Sequence, residues 1–245
     1  MRYINVKILF ISLFIFNGCM QKDKFYVSSG SPGAIYYPTA KALCKNFNEY
    51  DDKYECVALT STGSDNNLRG LQNKEFDFGI SQVALQNEYY NNKQATNLRS
   101  VMGLHHEHLS ILTAPNSNIT KLSDLEGKNV NIGNAGSGSR LYFAKIMQAK
   151  GWTKASFAKA YEEKSSAIDD LICNGKVDAA IYLVGHPNKI FDRAINECGA
   201  NLLRLPAKDI ELLKKTLPNF ANSIIKANTY QQQKHPIKTL GMQII

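Results

Sequence analysis

The sequence predicts an α/β protein made of two lobes of similar size. Three observations carry that expectation. Of the 245 residues, 44% are apolar and 20% charged, a balance that builds packed cores and excludes disordered, collagenous and low-complexity chains; the length suits one large or two modest domains. After Phe25, a short apolar run, a small polar turn and an amphipathic stretch recur three times in about sixty residues. The same order then returns in the second half of the chain. Strand, turn and helix in repetition predict parallel sheet with helices on both faces.

The elements follow in order. Phe25-Tyr26-Val27 is a short strand running into Ser28-Ser29-Gly30-Ser31-Pro32-Gly33. A helix comes next, with Tyr36, Ala40, Leu43 and Phe47 forming one apolar stripe. Tyr54 to Leu59 is a second strand, ending in Thr60-Ser61-Thr62-Gly63-Ser64, where Ser64 or Asp65 caps a helix carrying Leu68 and Leu71. Phe76, Phe78 and Ile80 alternate as a third strand does, and a helix runs from about Ser81 to Tyr90. A crossover between the lobes is expected near Leu109 to Ser117.

In the second half, Ser123 to Lys128 reads as one helical turn closed by Gly127. Asn129 to Gly133 is a strand, Asn134-Ala135-Gly136-Ser137-Gly138-Ser139 a loop, and Arg140 to Lys150 a helix burying Phe143, Ile146 and Met147. Ser165 to Cys173 is a helix with Ile168, Leu171 and Ile172 inward, and Val177 to Val184 a buried strand. Pro187 opens a helix that turns Ile190, Phe191, Ala194 and Ile195 inward and stops at Gly199.

Residues 1–19 stand apart from this pattern. Arg2 and Lys7 precede an apolar run from Ile8 to Phe16, too short to span a bilayer, and Asn17-Gly18-Cys19 follows. This is the layout of an export signal. A small residue directly before cysteine resembles a bacterial lipoprotein cleavage site, with Cys19 as the lipidated first residue; an ordinary signal peptide or an uncleaved anchor is the alternative. Export leaves Cys44, Cys56, Cys173 and Cys198 free to form disulfides in any of three pairings. Buried free thiols fit the sequence equally well, whereas the absence of CxxC spacing speaks against zinc.

Lys and Arg number 29 against 21 Asp and Glu, a formal charge of +8. No basic run reaches the density of a nucleic-acid footprint, so the charge is read as a mild attraction for organic anions. Catalytic signatures are missing as well. Gly133-x-x-Gly136-x-Gly138 does not match the dinucleotide fingerprint, no P-loop lysine follows it, and no GxSxG elbow occurs. With no nucleophile and base in any recognisable pairing, an enzyme is not expected, and no cofactor is implied. His105-His106-Glu107-His108 is the one cluster to weigh as a metal site, because His106 and His108 share a face in an extended segment. Its position near the crossover favours a hinge strand instead.

Four loops that follow strands, Ser28-Ser29-Gly30-Ser31, Thr60-Ser61-Thr62-Gly63-Ser64, Ser81-Gln82 and Gly136-Ser137-Gly138-Ser139, are rich in small polar residues and glycine. Such loops, opening helices beyond the carboxyl ends of strands, suit anionic oxygens through backbone N–H groups, hydroxyls and the helix dipole. Any one of them can be a plain turn or cap; four in corresponding positions point to a ligand gripped between lobes. Arg140 is either a bidentate partner for a ligand carboxylate or a structural arginine in the first helical turn.

Gly30-Ser31-Pro32-Gly33-Ala34-Ile35-Tyr36-Tyr37-Pro38, Ser61-Thr62-Gly63-Ser64-Asp65-Asn66-Asn67-Leu68-Arg69 and Phe76-Asp77-Phe78-Gly79-Ile80-Ser81-Gln82 resemble the TAXI family, the solute-binding receptors of TRAP-type secondary transporters. The series continues through Leu122-x-Asp124-Leu125-x-Gly127-Lys128-x-Val130, Gly136-Ser137-Gly138-Ser139-Arg140 and Asn174-Gly175-Lys176-Val177-Asp178-Ala179, so that it covers about Phe25 to Leu205. The resemblance implies a two-lobed periplasmic-binding-protein fold of the second type, with the ligand cleft between the lobes. It also implies a periplasmic receptor that captures a small organic acid or amino acid, glutamate-like or 2-oxoglutarate-like, and hands it to TRAP-type membrane permease subunits. Ser31, Tyr36, Thr62, Ser64 and Gln82 would line the cleft from one lobe, and Ser137, Ser139, Arg140, Tyr182 and Gly185 from the other. Pro32 stands where the family more often has glycine. The implied organisation is a signal peptide over 1–19, lobe 1 over 24–112, lobe 2 over 113–206 and a return segment over 207–245. That last segment is shorter than the family's, so lobe 1 is expected to be truncated. A metal-binding receptor using His106 and His108, or a non-functional truncated remnant, are the alternative functions.

Overall fold

A computed structural model describes residues 22–93 and 97–245; the export segment 1–19 and the lipidation site Cys19 lie outside the described residues. β1 (Asp23–Ser28), α1 (Tyr36–Tyr50), β2 (Tyr54–Leu59), α2 (Ser64–Gln72), β3 (Phe78–Gly79) and α3 (Val83–Asn91) come first. Their strands form a parallel three-stranded sheet in the order β2-β1-β3. The helix stripe of α1 differs by one position from the expected one. Cys44 is buried where Leu43 is 38% exposed, because Cys44 is bonded to Cys56 on the adjacent β2. The helix cap also differs: Gly63, with φ +125, occupies the N-cap of α2 without any side-chain bond, and Ser64 is already helical.

The chain continues through β4 (His106–Thr113), β5 (Asn129–Asn131), α4 (Gly138–Lys150), β6 (Lys159–Tyr161), α5 (Ile168–Cys173), β7 (Ala179–Val184), α6 (Lys189–Cys198), β8 (Asn201–Leu202), α7 (Ala207–Thr216), β9 (Ala221–Ile225) and β10 (Ile237–Gln243). Here the strands make a seven-stranded sheet, β6-β5-β7-β4-β10-β9, with β8 beside β4. β5, β6 and β7 pair in parallel as the βαβ grammar predicts, whereas β4, β8, β9 and β10 are antiparallel additions. Pro187 precedes α6 instead of opening it. The N-cap is Asn188, whose side chain accepts from the N–H groups of Ile190 and Phe191.

β7 shows how the larger sheet is buried on both faces. Ala179, Ile181 and Leu183 join one core with Tyr142, Phe143 and Ile146 of α4. Ala180, Tyr182 and Val184 alternate into a second core with Ile168, Leu171 and Ile172 of α5 and Phe191, Ala194 and Ile195 of α6. Each large side chain so buried contributes about 1.5–3 kcal/mol. A second disulfide, Cys173–Cys198, ties α5 to α6.

The two sheets part at His105–His106, not after residue 112 as the sequence suggests, because β4 pairs with β7 along its length from His108 to Thr113. The segment expected to return to lobe 1 from residue 207 also packs largely on the larger sheet, through β9 and β10. Its last two residues do reach the smaller sheet. Ser81 and Ile245 exchange backbone hydrogen bonds at 2.8 and 2.9 Å, and Ile244 exchanges them with Leu104 and His105 at 2.7 and 2.8 Å. The chain therefore passes between the lobes twice, at 105–106 and at 243–244, on adjacent strands.

Candidate functional site

The carboxyl ends of six parallel strands, three from each sheet, converge on one cavity, the position where open α/β sheets take ligands. Its volume is about 80 Å³, on a scale where one water needs about 10–15 Å³, so it suits a small ligand. The loops after β1 and β2 supply Ser31, Ser61 and Thr62, and the loop after β5 supplies Asn134 and Ser137. α2 and α4 begin in the wall, at Ser64 and at Gly138-Ser139.

The loops are held by a buried amide. Asn67, on the first turns of α2, donates to the carbonyls of Ser29 and Ile80 at 2.7 Å each and accepts from Ser28 Oγ at 2.6 Å. One side chain thus fixes the ends of β1 and β3. On the other lobe, Ser139 Oγ accepts from the Leu183 N–H at 3.0 Å and locks the start of α4 to β7. Tyr182 OH donates to the Glu163 carbonyl and receives the Asn131 amide; burial pushes its ionisation far up, so it stays a neutral phenol.

The lobes touch across the cavity mouth. Asn134 Nδ2 donates to the Thr62 carbonyl at 3.1 Å, and the Asn66 N–H to the Gly136 carbonyl at 3.4 Å. Gly136 has φ +77, and a Cβ there would lie 2.5 Å from Thr62 Oγ1. Only glycine allows both that backbone and that approach. Lys145 of α4 and Glu88 of α3 add an ion pair at 2.6 Å between the lobes. This is a closed cleft.

Of the residues that the resemblance puts in the cleft, Ser31, Tyr36, Thr62, Ser64 and Gln82 line it from the first lobe, and Ser137, Ser139 and Tyr182 from the second. Two others lie elsewhere. Arg140 Nε is paired with Glu162 at 3.1 Å, and Glu162 also holds Lys154 at 2.8 Å, so the guanidinium is engaged on the surface outside the cavity wall. Gly185 lines a neighbouring cavity with His105, His106, His108 and His186.

That neighbouring histidine group is structural. His186 Nε2 meets Ser110 Oγ at 2.7 Å and its Nδ1 meets Tyr230 OH at 2.5 Å, while Tyr230 OH accepts the Asn188 N–H at 3.0 Å. Burial pushes His186 down to about 3, which keeps the ring neutral. His106 and His108 do share a face of β4, but among the described residues no three His, Cys, Asp or Glu side chains are grouped to hold a metal ion.

The residue that sequence reasoning missed is Glu107. Strand alternation turns it opposite to the flanking histidines and into the cleft, where it is 5% exposed. Gln82 Nε2 donates to its Oε2 at 2.8 Å, and the Tyr36 phenol bonds to it as well. Burial pushes the carboxyl up to about 8, with the two donors working against that rise. Tyr36, 3.4 Å from Ser64 Oγ, is itself held neutral by burial and by the neighbouring carboxyl. The signal was present in the alternation His-Glu-His, which puts the acid alone on the second face.

Residues 27–245 match the NMT1-like family. Among solved structures, the fold is similar to one described as an L-cystine ABC transporter from Listeria monocytogenes, at a TM-score of 0.53 and 18% identity over 79% of this chain and 87% of that one. It is also similar to the effector-binding domain of QuiR in complex with shikimate, at 0.52 and 12% over 91% and 87%. The periplasmic aliphatic sulphonate binding protein SsuA from Escherichia coli matches at 0.47 and 14%, with 75% of this chain spanning 57% of that one. These likenesses establish the architecture as the two-lobed periplasmic-binding-protein fold of the second type.

Proposed function

The chain belongs to the NMT1-like family, and from that premise we propose that it is an extracytoplasmic receptor for a small organic acid or amino acid, glutamate-like or 2-oxoglutarate-like. The observation that carries this is the cavity between the lobes, walled by the starts of α2 and α4 and by serine and threonine hydroxyls. Oriented N–H groups and hydroxyls there stabilise anionic oxygen, and the net charge of +8 favours the encounter. Ligand bridges the lobes, closure about the paired strands at 105–106 and 243–244 removes it from water, and the permease recognises the closed form. Ser31, Tyr36, Thr62, Ser64, Gln82, Ser137, Ser139 and Tyr182 are the proposed contacts, with Glu107 added to them. It binds and does not turn over its ligand.

The motif series in the sequence supports a TRAP-type permease as partner, and the export segment supports a periplasmic location with a lipid on Cys19. Calorimetric titration of residues 20–245 against amino acids, oxo acids and dicarboxylates tests the ligand class. Binding of about micromolar strength, about −8 kcal/mol, is expected for one of them; a folded protein that binds none overturns the reading. Uptake into vesicles carrying a TRAP-type permease, driven by an ion gradient, tests the pairing, and uptake that requires ATP overturns it.

A further inference from the structure

We propose that Glu107 and Gln82 form a subsite for a protonated amine, so that the cleft takes an amino acid in preference to its deaminated oxo acid and expels a proton as it does so. This rests on the receptor reading of the cleft and decides between the ligand classes within it.

The geometry carries the argument. Among the described residues Glu107 is the only carboxylic acid in the cavity wall, and Lys164, exposed to solvent, is the only lysine or arginine there. Gln82 is 2% exposed, and its amide nitrogen is spent on Glu107. Its Oε1 is buried and has no hydrogen-bond partner among the described residues. A buried acceptor left unmade is costly, and here two acceptors, one a carboxylate when ionised, sit side by side at a ligand cavity. Two donors already reach the carboxyl, from Gln82 and Tyr36. That arrangement suits its ionised form and lacks only a cation. An ammonium group supplies the charge and has three N–H donors, enough for both acceptors. The carboxylate of the same ligand is then left for the starts of α2 and α4.

Among the described residues no other charge serves in its place; His105, whose ring packs edge-on against Tyr36, is pushed down by burial and favours its neutral form. Tyr36 of α1 touches Glu107, and Tyr142 of α4 lies beyond Tyr36; both are held neutral by burial. Tyr182 of β7 shares the cavity as a neutral phenol. His106 and His108 occupy the other face of β4, and Met242, beside Glu107 on β10, carries no charge. Asp65 of α2 is engaged by Arg69 and Tyr89, and Glu88 of α3 by Lys145. Without a ligand the buried carboxyl keeps its proton to near pH 8. Arrival of an ammonium ionises it, and the proton leaves to solvent.

The test uses matched pairs, glutamate with 2-oxoglutarate and alanine with pyruvate, titrated into residues 20–245 in buffers of different ionisation enthalpy. The amino acid of a pair should bind at least tenfold more tightly than its oxo acid at pH 7.5. It should release close to one proton at pH 6.5, and its Kd should fall about tenfold per pH unit up to about pH 8. Glu107→Gln should abolish both the release and the slope and reverse the preference within the pair. The wild-type proton count stands even where that variant fails to fold. Tight oxo-acid binding, or amino-acid binding without proton release, overturns the amine subsite and leaves the receptor standing. Failure of all four probes to bind the folded wild type overturns the receptor reading itself and the subsite with it.

Discussion

Glu107→Gln removes a titration that the fold imposes on itself, and the size of the effect follows from the structure. The carboxyl is fully buried, and its folded value of about 8 lies above the ordinary 4.5. Between those two values the folded chain holds a proton that the unfolded chain has released. Stability therefore falls as pH rises through the window, by about 1.4 kcal/mol per pH unit and about 5 kcal/mol in all. The contribution is fully present below pH 4.5 and gone above about pH 8. Glutamine has nearly the same shape and cannot titrate, so the difference between the two proteins isolates the one group. Chemical denaturation without ligand at pH 5 and at pH 7.5 should show wild type losing about 3 kcal/mol relative to Glu107→Gln, or about 6–12 °C in Tm for a chain of this length. Parallel profiles would refute the reasoning. Relative gain by the wild type with rising pH would show a carboxylate held ionised in the empty cleft.

Three further outcomes are expected. Gly136→Ala puts a Cβ 2.5 Å from Thr62 Oγ1 on a backbone at φ +77, so calorimetry should find ligand affinity weakened about tenfold; unchanged affinity would remove that contact from closure. Arg140→Ala should change affinity less than about threefold, since a half-exposed pair such as Arg140–Glu162 is worth about 0.2–1 kcal/mol; a loss beyond about tenfold would return the guanidinium to the cleft. Cys44→Ser with Cys56→Ser opens a closure of 12 residues, and Cys173→Ser with Cys198→Ser one of 25. Denaturation should show losses of about 2.8 and about 3.5 kcal/mol respectively on the chain-entropy account, and equal stability with and without reductant would refute it.

The sequence by itself determined the local structure. Apolar periodicity located the α1, α4 and α6 helices and the β2 and β7 strands, and Gly127 and Gly199 marked turns that lie at φ +69 in the fold. These are signals between residues a few positions apart, fixed by backbone sterics and by one buried face. The serine- and glycine-rich loops were legible for the same reason, since each must follow its own strand and open its own helix.

What only the tertiary structure decided depends on residues far apart in the chain. Arg140 carries the same guanidinium whether it meets a ligand or Glu162, and the fold brings it Glu162. The four cysteines allowed three pairings, and the packing of α1 on β2 and of α5 on α6 chose Cys44–Cys56 and Cys173–Cys198. Antiparallel placement of β9 and β10 has no local signature, because a strand's partner is set by the edge left open to it. Glu107 is the clearest case. Between two histidines it reads as part of a hinge strand, and only the packing of Gln82 and Tyr36 against it, from residues 25 and 71 positions away, buries its carboxyl and gives it a role in the cleft.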